Sequence, residues 1–310
     1  MLSSVLVYAC ILAFLDLSSY VSAYDSSSGS VASGDLSLAA PYGLPASKFK
    51  SDTNKPDEAA TFVITGYDVS TDSTPQSADG WKLEAAVKEG VALSDATNSS
   101  VDKAQVFEAT TLYIQAPDGM KMDASWKMCA VVYPGLASSV DSSTTVDGSC
   151  SGVLSTDCLQ AMSVAAGGAT SNGMDTSGNC TNYVLPSRCT DAFPSDSVRT
   201  AAIPINQTVL DDKRFYAFGS EPMDSGNTTA ANDEARQNVW TVVTIFGHLS
   251  SSGTRSSTNV GVQCIRAVNG TADNVTSGAA RTRADLVTWA ANHKTSALGA
   301  VFLAGYLMAL

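Results

Sequence analysis

The chain has 310 residues, 44% of them hydrophobic and 15% charged, with a formal net charge of −12 at pH 7. That length allows one large domain or two small ones. The acidic balance comes without any block of Lys or Arg, so the chain lacks the electrostatic footprint that nucleic acid requires of a partner.

In chain order, the apolar run Val5–Leu15 is too short to span a bilayer and is followed by the small-x-small triplet Val21-Ser22-Ala23. This pattern predicts a signal peptide over 1–23 with Tyr24 as the mature N-terminus. Residues 24–58 are rich in Ser, Gly, Ala, Asp and Pro without periodicity, which predicts a flexible leader. An ectodomain is expected over 59–270. Its strand signals are segments rich in β-branched and aromatic residues, bounded by Gly, Pro, Asp or Ser: Thr61–Val69, Trp81–Leu93, Gln105–Ala116, Met120–Tyr133, Thr200–Ile205, Arg214–Phe218, Asn238–His248 and Thr258–Val268.

Two pairs of these segments read as hairpins. Pro117-Asp118-Gly119 separates Thr111–Ala116 from Met120–Tyr133, and Pro with Gly is turn chemistry. The polar stretch Leu249–Ser257 separates Asn238–His248 from Thr258–Val268. Residues Val239 to Phe246 are apolar on both alternating faces, which predicts a strand in the middle of a sheet. The interval of about 134–197 holds four cysteines and much Gly and Ser. It also holds one helix signal, with Ser155-Thr156-Asp157 capping a run through Cys158, Leu159, Met162 and Ala165. The expected fold is an all-β antiparallel β-sandwich with a disulfide-rich, partly helical insertion.

Residues 271–310 read as an attachment region for a glycosylphosphatidylinositol (GPI) anchor. The apolar tail Ala297–Leu310 is 14 residues long and carries no charge, whereas a membrane-spanning helix needs about 20. Small residues from Ser277 to Ala280 precede a polar spacer, the order of a GPI signal, with Ser277 or Gly278 as the attachment residue. Once the signal peptide takes Cys10, six cysteines remain: Cys129, Cys150, Cys158, Cys180, Cys189 and Cys264. In an exported chain an even set predicts three disulfides, with 15 possible pairings. Zinc would want CxxC or HxxxH spacings, and the sequence has neither. Sequons at Asn98, Asn179, Asn206, Asn227, Asn269 and Asn274 predict N-glycosylated surface loops.

No catalytic set assembles from spacing. Gly148-Ser149-Cys150-Ser151-Gly152 has the outline of a nucleophile elbow but lacks the buried strand that must precede one. His248 has no Ser and Asp partners legible in sequence. The acid pairs Asp211-Asp212, Glu221 with Asp224, and Asp233-Glu234 could serve a glycosidase, yet they sit in polar, turn-rich stretches. No P-loop, GxGxxG or EF-hand motif implies a cofactor. Trp81, Trp126, Trp240, Tyr67 and Tyr133 could stack on sugar rings, and Trp126 and Trp240 fit better as core.

The paired end signals, the strand Trp126-Lys127-Met128-Cys129 and the cysteine-bearing stretches Asp147-Gly148-Ser149-Cys150, Asp157-Cys158 and Pro186-Ser187-Arg188-Cys189 give the chain a resemblance to secreted GPI-anchored surface proteins of filamentous fungi. The chain lacks the adjacent cysteines of hydrophobins, the eight-cysteine pattern of CFEM domains and the N-terminal histidine of copper polysaccharide monooxygenases. The resemblance implies display on the outer leaflet or in the cell wall, with wall polysaccharide or surface glycans as partners. The expected role is a non-enzymatic surface protein, adhesive or glycan-contacting, and the alternative is a glycan-active hydrolase using a carboxylate pair.

Overall fold

The computed structural model describes residues 30–32, 40–72, 75–133, 148–167, 172–193, 202–226, 228 and 235–267. The signal segment, Ser277, Gly278, the apolar tail, Asp233-Glu234 and the sequons at Asn227, Asn269 and Asn274 lie outside them. Among the described residues nine strands form two antiparallel sheets: β1 (Ser30–Ala32), β2 (Glu58–Tyr67), β3 (Ser77–Ala92), β4 (Val106–Gln115), β5 (Trp126–Tyr133), β6 (Ala202–Ile205), β7 (Arg214–Gly219), β8 (Trp240–Leu249) and β9 (Arg255–Ile265). One sheet runs β1-β7-β4-β3-β2 and the other β6-β5-β8-β9. The helices are α1 (Ala46–Thr53), α2 (Thr156–Gly167) and α3 (Gln207–Asp212). The chain is therefore an all-β sandwich with a disulfide-rich, partly helical excursion, as its sequence pattern predicts.

Large rings fill the space between the sheets. Trp81, Trp126 and Trp240 are all buried. Trp81 and Tyr67 of the five-stranded sheet meet Phe246 of the other edge-on, at centroid distances of 5.2 and 5.4 Å. Tyr216 and Phe218 meet Trp240 at 5.7 and 5.4 Å. Edge-to-face geometry adds about 0.5–1.5 kcal/mol per pair to the burial term. Gly66 follows a register break between Ile64 and Gly66, and a Cβ there would fall inside the Trp81 indole. The glycine thus makes room for the ring.

The apolar character of β5 and β8 on both faces has a visible cause. The cysteine-rich excursion covers the outer face of the four-stranded sheet, with α2 packed on β9 and β8. Ser155 caps α2, its hydroxyl accepting from the Cys158 N–H at 3.2 Å. Disulfides fix this layer to the sheet at β5 (Cys129–Cys180) and at β9 (Cys150–Cys264), and Cys158–Cys189 closes it on itself. Tyr133 of β5 packs against Tyr183 and Phe193 of the same layer. At Gly173 the backbone has φ +84°, and a Cβ would lie 2.6 Å from Ile245 Cδ1, so only glycine lets the layer approach that closely.

Two expectations need correction. The hairpin at Pro117-Asp118-Gly119 does not form, because β4 and β5 belong to different sheets. The turn itself is present, with Met120 N–H donating to Pro117 O at 3.1 Å. A second turn, Trp126 N–H to Asp123 O at 3.0 Å, then carries the chain across the sandwich. Turn chemistry is local and does not say which sheet the next strand joins. The flexible leader 24–58 is also wrong in its second half. Tyr42, Leu44 and Phe49 are buried in a small second core with Val91, Leu93, Phe107 and Ala217, on the outer face of the five-stranded sheet. Strand β1 within the same leader pairs with β7, Ser30 opposite Phe218. The apolar residues of this stretch are too irregularly spaced to show a period, so composition alone reads as linker.

Candidate functional site: a polar groove on the outer face of the five-stranded sheet

The second core covers only part of the outer face of the five-stranded sheet, and beside it α1 walls off a groove of about 320 Å³. Its floor is a row set by strand register. Thr61 on β2 lies opposite Glu84 on β3, Glu84 opposite Tyr113 on β4, and Tyr113 opposite Arg214 on β7. In the next row Lys82 lies opposite Gln115. These are the outward positions of strands whose alternate residues, such as Phe62, Leu83 and Leu112, form the core.

Arg214 joins the row through a bulge. The register skips one residue between Leu112↔Tyr216 and Tyr113↔Arg214, which brings the arginine beside Tyr113. Bulges commonly re-aim a side chain in this way. Before it, α3 is capped at its start by Asn206, whose side chain accepts from the Val209 N–H, and at its end by Lys213 in the left-handed region at φ 70°. That cap turns the chain so that Asp212, Lys213 and Arg214 all line the groove.

Asp212 receives Arg214 Nε at 3.1 Å and Nη2 at 2.9 Å, with Lys50 Nζ at 3.2 Å. The Arg214 hydrogen bonds hold the Asp212 carboxyl below its ordinary value, against its partial burial and with Lys50 adding to them. Arg214 is 5% exposed, and its Nη1 is buried without a hydrogen-bond partner. Burial raises the Tyr113 hydroxyl above its usual value, the Arg214 charge opposing. Thr61 Oγ1 donates to Glu84 at 3.3 Å. The groove thus presents one half-buried ring and several donors and acceptors, beside a buried guanidinium held by Asp212.

The residues singled out in the sequence fall elsewhere. Trp81, Trp126, Trp240 and Tyr133 are core and cannot meet a sugar, while Tyr67 packs on Trp126 and Phe246. Cys150 is a disulfide partner, so the elbow-like stretch holds no free thiol. Glu221 and Asp224 are exposed, and Asp211 accepts from Gln207 on its own helix at 2.7 Å. Of the sequons, Asn98 forms a local turn with Ser100. Asn179 donates to Asp175 at 3.0 Å beside the bonded Cys180, and Asn206 uses only its carbonyl oxygen as a cap.

His248 does have Ser and Asp neighbours: Nδ1 lies 3.1 Å from Ser256 Oγ and Nε2 lies 3.2 Å from Asp72 Oδ1. Asp72 is 72% exposed, so water competes for the carboxylate. Ser256 Oγ also donates to the His248 carbonyl at 3.0 Å. Together with Trp126 Nε1 donating to Thr71 O at 2.9 Å, the set clasps the 70–72 loop over the end of the sandwich.

Sequence reasoning also missed an acidic set around Arg236. Glu58 pairs with it at 3.0 Å and Glu89 also bonds it, while Glu108 is fully enclosed with Oε2 unpartnered. Burial raises the carboxyls of both Glu58 and Glu108 above their ordinary values. Among the described residues, no group of three His, Cys, Asp or Glu is placed to hold a metal ion, and no helix is long and apolar enough to cross a membrane. Searches against protein-family models, curated proteins and solved structures give no match to this chain.

Proposed function

We propose that this chain is a non-enzymatic extracellular surface module that contacts glycans through the groove on its five-stranded sheet. A GPI anchor at Ser277 or Gly278 holds it at the outer membrane surface or in the cell wall. The observation that carries the glycan part is the transverse row Thr61–Glu84–Tyr113–Arg214, with Lys82 and Gln115 beside it. A saccharide offers apolar ring faces and many hydroxyls, and the row offers one aromatic platform among donors and acceptors on a rigid sheet. Three disulfides suit the oxidising compartments outside the cell, and the end signals supply export and attachment.

The secreted chain is expected to be retained by at least one wall or surface oligosaccharide, and Tyr113→Ala to weaken that binding by about tenfold, near 1.4 kcal/mol. Unchanged affinity in Tyr113→Ala, or retention by no saccharide, removes the groove from the account. Phosphatidylinositol-specific phospholipase C should release the protein from intact cells with a glycolipid remnant on Ser277 or Gly278. A mature chain that still ends at Leu310 refutes the anchor.

A further inference from the structure

The geometry points to an anionic saccharide, one carrying carboxylate or sulfate groups, as the ligand class of the groove; this rests on the glycan reading above and narrows it. The net charge of the whole chain is −12, which by itself would repel such a ligand. The groove departs from that average. Lys50, Lys82, Lys213 and Arg214 line it against only two carboxylates, Glu84 and Asp212. Asp212 is already engaged by Arg214 and Lys50, and Glu84 by the Thr61 hydroxyl.

Lys82 and Lys213 make no ion pair among the described residues. Their positions are fixed by backbone rather than by partners. Lys82 stands in the middle of β3 opposite Gln115. Lys213 is held by the helix cap, and its carbonyl receives the Ile114 N–H at 2.7 Å. Two unpaired ammonium groups therefore flank Tyr113 on a protein that is otherwise strongly acidic.

Arg214 adds a buried positive charge beside Tyr113. A guanidinium has five N–H donors in a fixed fork, and here Nε and Nη2 are used by Asp212 while buried Nη1 has no acceptor. The fork itself is closed off, so Arg214 acts on a ligand through its charge, which beside the groove floor favours carboxylate or sulfate groups. At physiological salt the screening length is about 8 Å. A ligand in the groove therefore feels the nearby cations more than the acids elsewhere on the surface. The sugar ring would lie on Tyr113 with its acidic group toward Lys82 and Lys213, in the field of the buried Arg214.

The test compares the secreted chain with a Lys82→Ala/Lys213→Gly variant. Both lysines are solvent-accessible, and glycine suits the left-handed position 213, so the thermal midpoint should not fall. The probes are matched neutral, uronic-acid and sulfated oligosaccharides, titrated at about 50 and 300 mM salt. The expected result is preference for an acidic probe, weakening with salt, and a loss of about tenfold or more in the variant. The uronic and sulfated arms identify the acidic group. Equal or better binding of the neutral probe overturns the anionic assignment and leaves the glycan reading standing. Acidic binding that survives the double substitution also overturns it, since the ligand then sits elsewhere on the chain. Retention of none of the three, in a folded protein, removes both.

Discussion

Removing the Cys150–Cys264 disulfide should cost more stability than removing either of the other two. A disulfide stabilises chiefly by restricting the unfolded chain, with an entropy that grows as the logarithm of the loop it closes. The three bonds span 51, 114 and 31 residues for Cys129–Cys180, Cys150–Cys264 and Cys158–Cys189. The loops are not independent. With the other bonds intact, the shortest path round Cys150–Cys264 falls to about 80 residues, because Cys158–Cys189 cuts across it, and that round Cys129–Cys180 falls to about 40. The loop relation then gives about 4.6 kcal/mol for Cys150–Cys264, about 3.9 for Cys129–Cys180 and about 3.7 for Cys158–Cys189. Domains of this kind are stable by only about 5–15 kcal/mol, so Cys150→Ala/Cys264→Ala should shift the urea midpoint far toward zero. The assay is equilibrium unfolding of the three double-alanine variants of the secreted chain, read by near-UV circular dichroism. A cost below about 2 kcal/mol for the Cys150–Cys264 variant, or a reversed order with Cys158–Cys189 the largest, would refute the loop argument.

Phe49 is 1% exposed in the second core, so Phe49→Ala should cost about 3–5 kcal/mol and admit protease cleavage within 40–57; an unchanged digestion pattern would mean the segment is not docked in solution. Burial raises the Glu58 and Glu108 carboxyls from a reference value of 4.5, so the folded state binds more protons than the unfolded state just above that pH, and each group's contribution to stability falls as pH rises through the window. Glu108→Gln should therefore gain thermal midpoint on the parent as the pH rises above the reference value of 4.5, and a pH-independent difference would sink that account. Gly66→Ala forces a Cβ into the Trp81 indole and should destabilise by about 1–3 kcal/mol in thermal melts; a neutral result would show that the ring can move aside.

Much of the sandwich is legible because its strands carry strong local signals. The stretch Trp240–Phe246 is apolar on both faces, and this correctly places β8 inside its sheet, between β5 and β9. What covers its outer face is not legible, since the covering layer is rich in Gly and Ser and reaches the sheet through disulfides and tight backbone approach. The groove is hidden for another reason. Lys82, Glu84, Tyr113 and Gln115 look like the ordinary solvent side of amphipathic strands, and they become a row only when register sets them side by side. Arg214 enters that row through a bulge, and a bulge leaves no mark in hydrophobic periodicity. Glu108 misleads in the opposite sense. An acid between Phe107 and Ala109 reads as outward, yet it is wholly enclosed.

The placement of the groove follows from how the two sheets are covered. The cysteine-rich layer takes the outer face of the four-stranded sheet and is fixed there at β5 and β9, so that face is committed to stability. On the five-stranded sheet, among the described residues, the compact cluster around Tyr42 and Phe49 is docked. The Tyr42 hydroxyl bonds the Ser220 carbonyl at the end of β7, which fixes the cluster toward one end of the sheet. Helix α1 then runs along the edge of the covered region and gives Lys50 and Thr53, with Asn54 just past its end, to the groove wall. Beyond it, Thr61, Lys82, Glu84, Tyr113 and Gln115 on the ladder β2-β3-β4 stay partly open to solvent, and Arg214 of β7 lies buried beside them. A sheet floor with a docked helix as its wall suits the extended glycan we propose, because the floor sets spacing along the ligand while the long lysine side chains meet its charges. On the proposed glycan reading, loosening α1 should weaken affinity without altering the preference among ligands, and changing Lys82 or Lys213 should alter the preference without loosening α1.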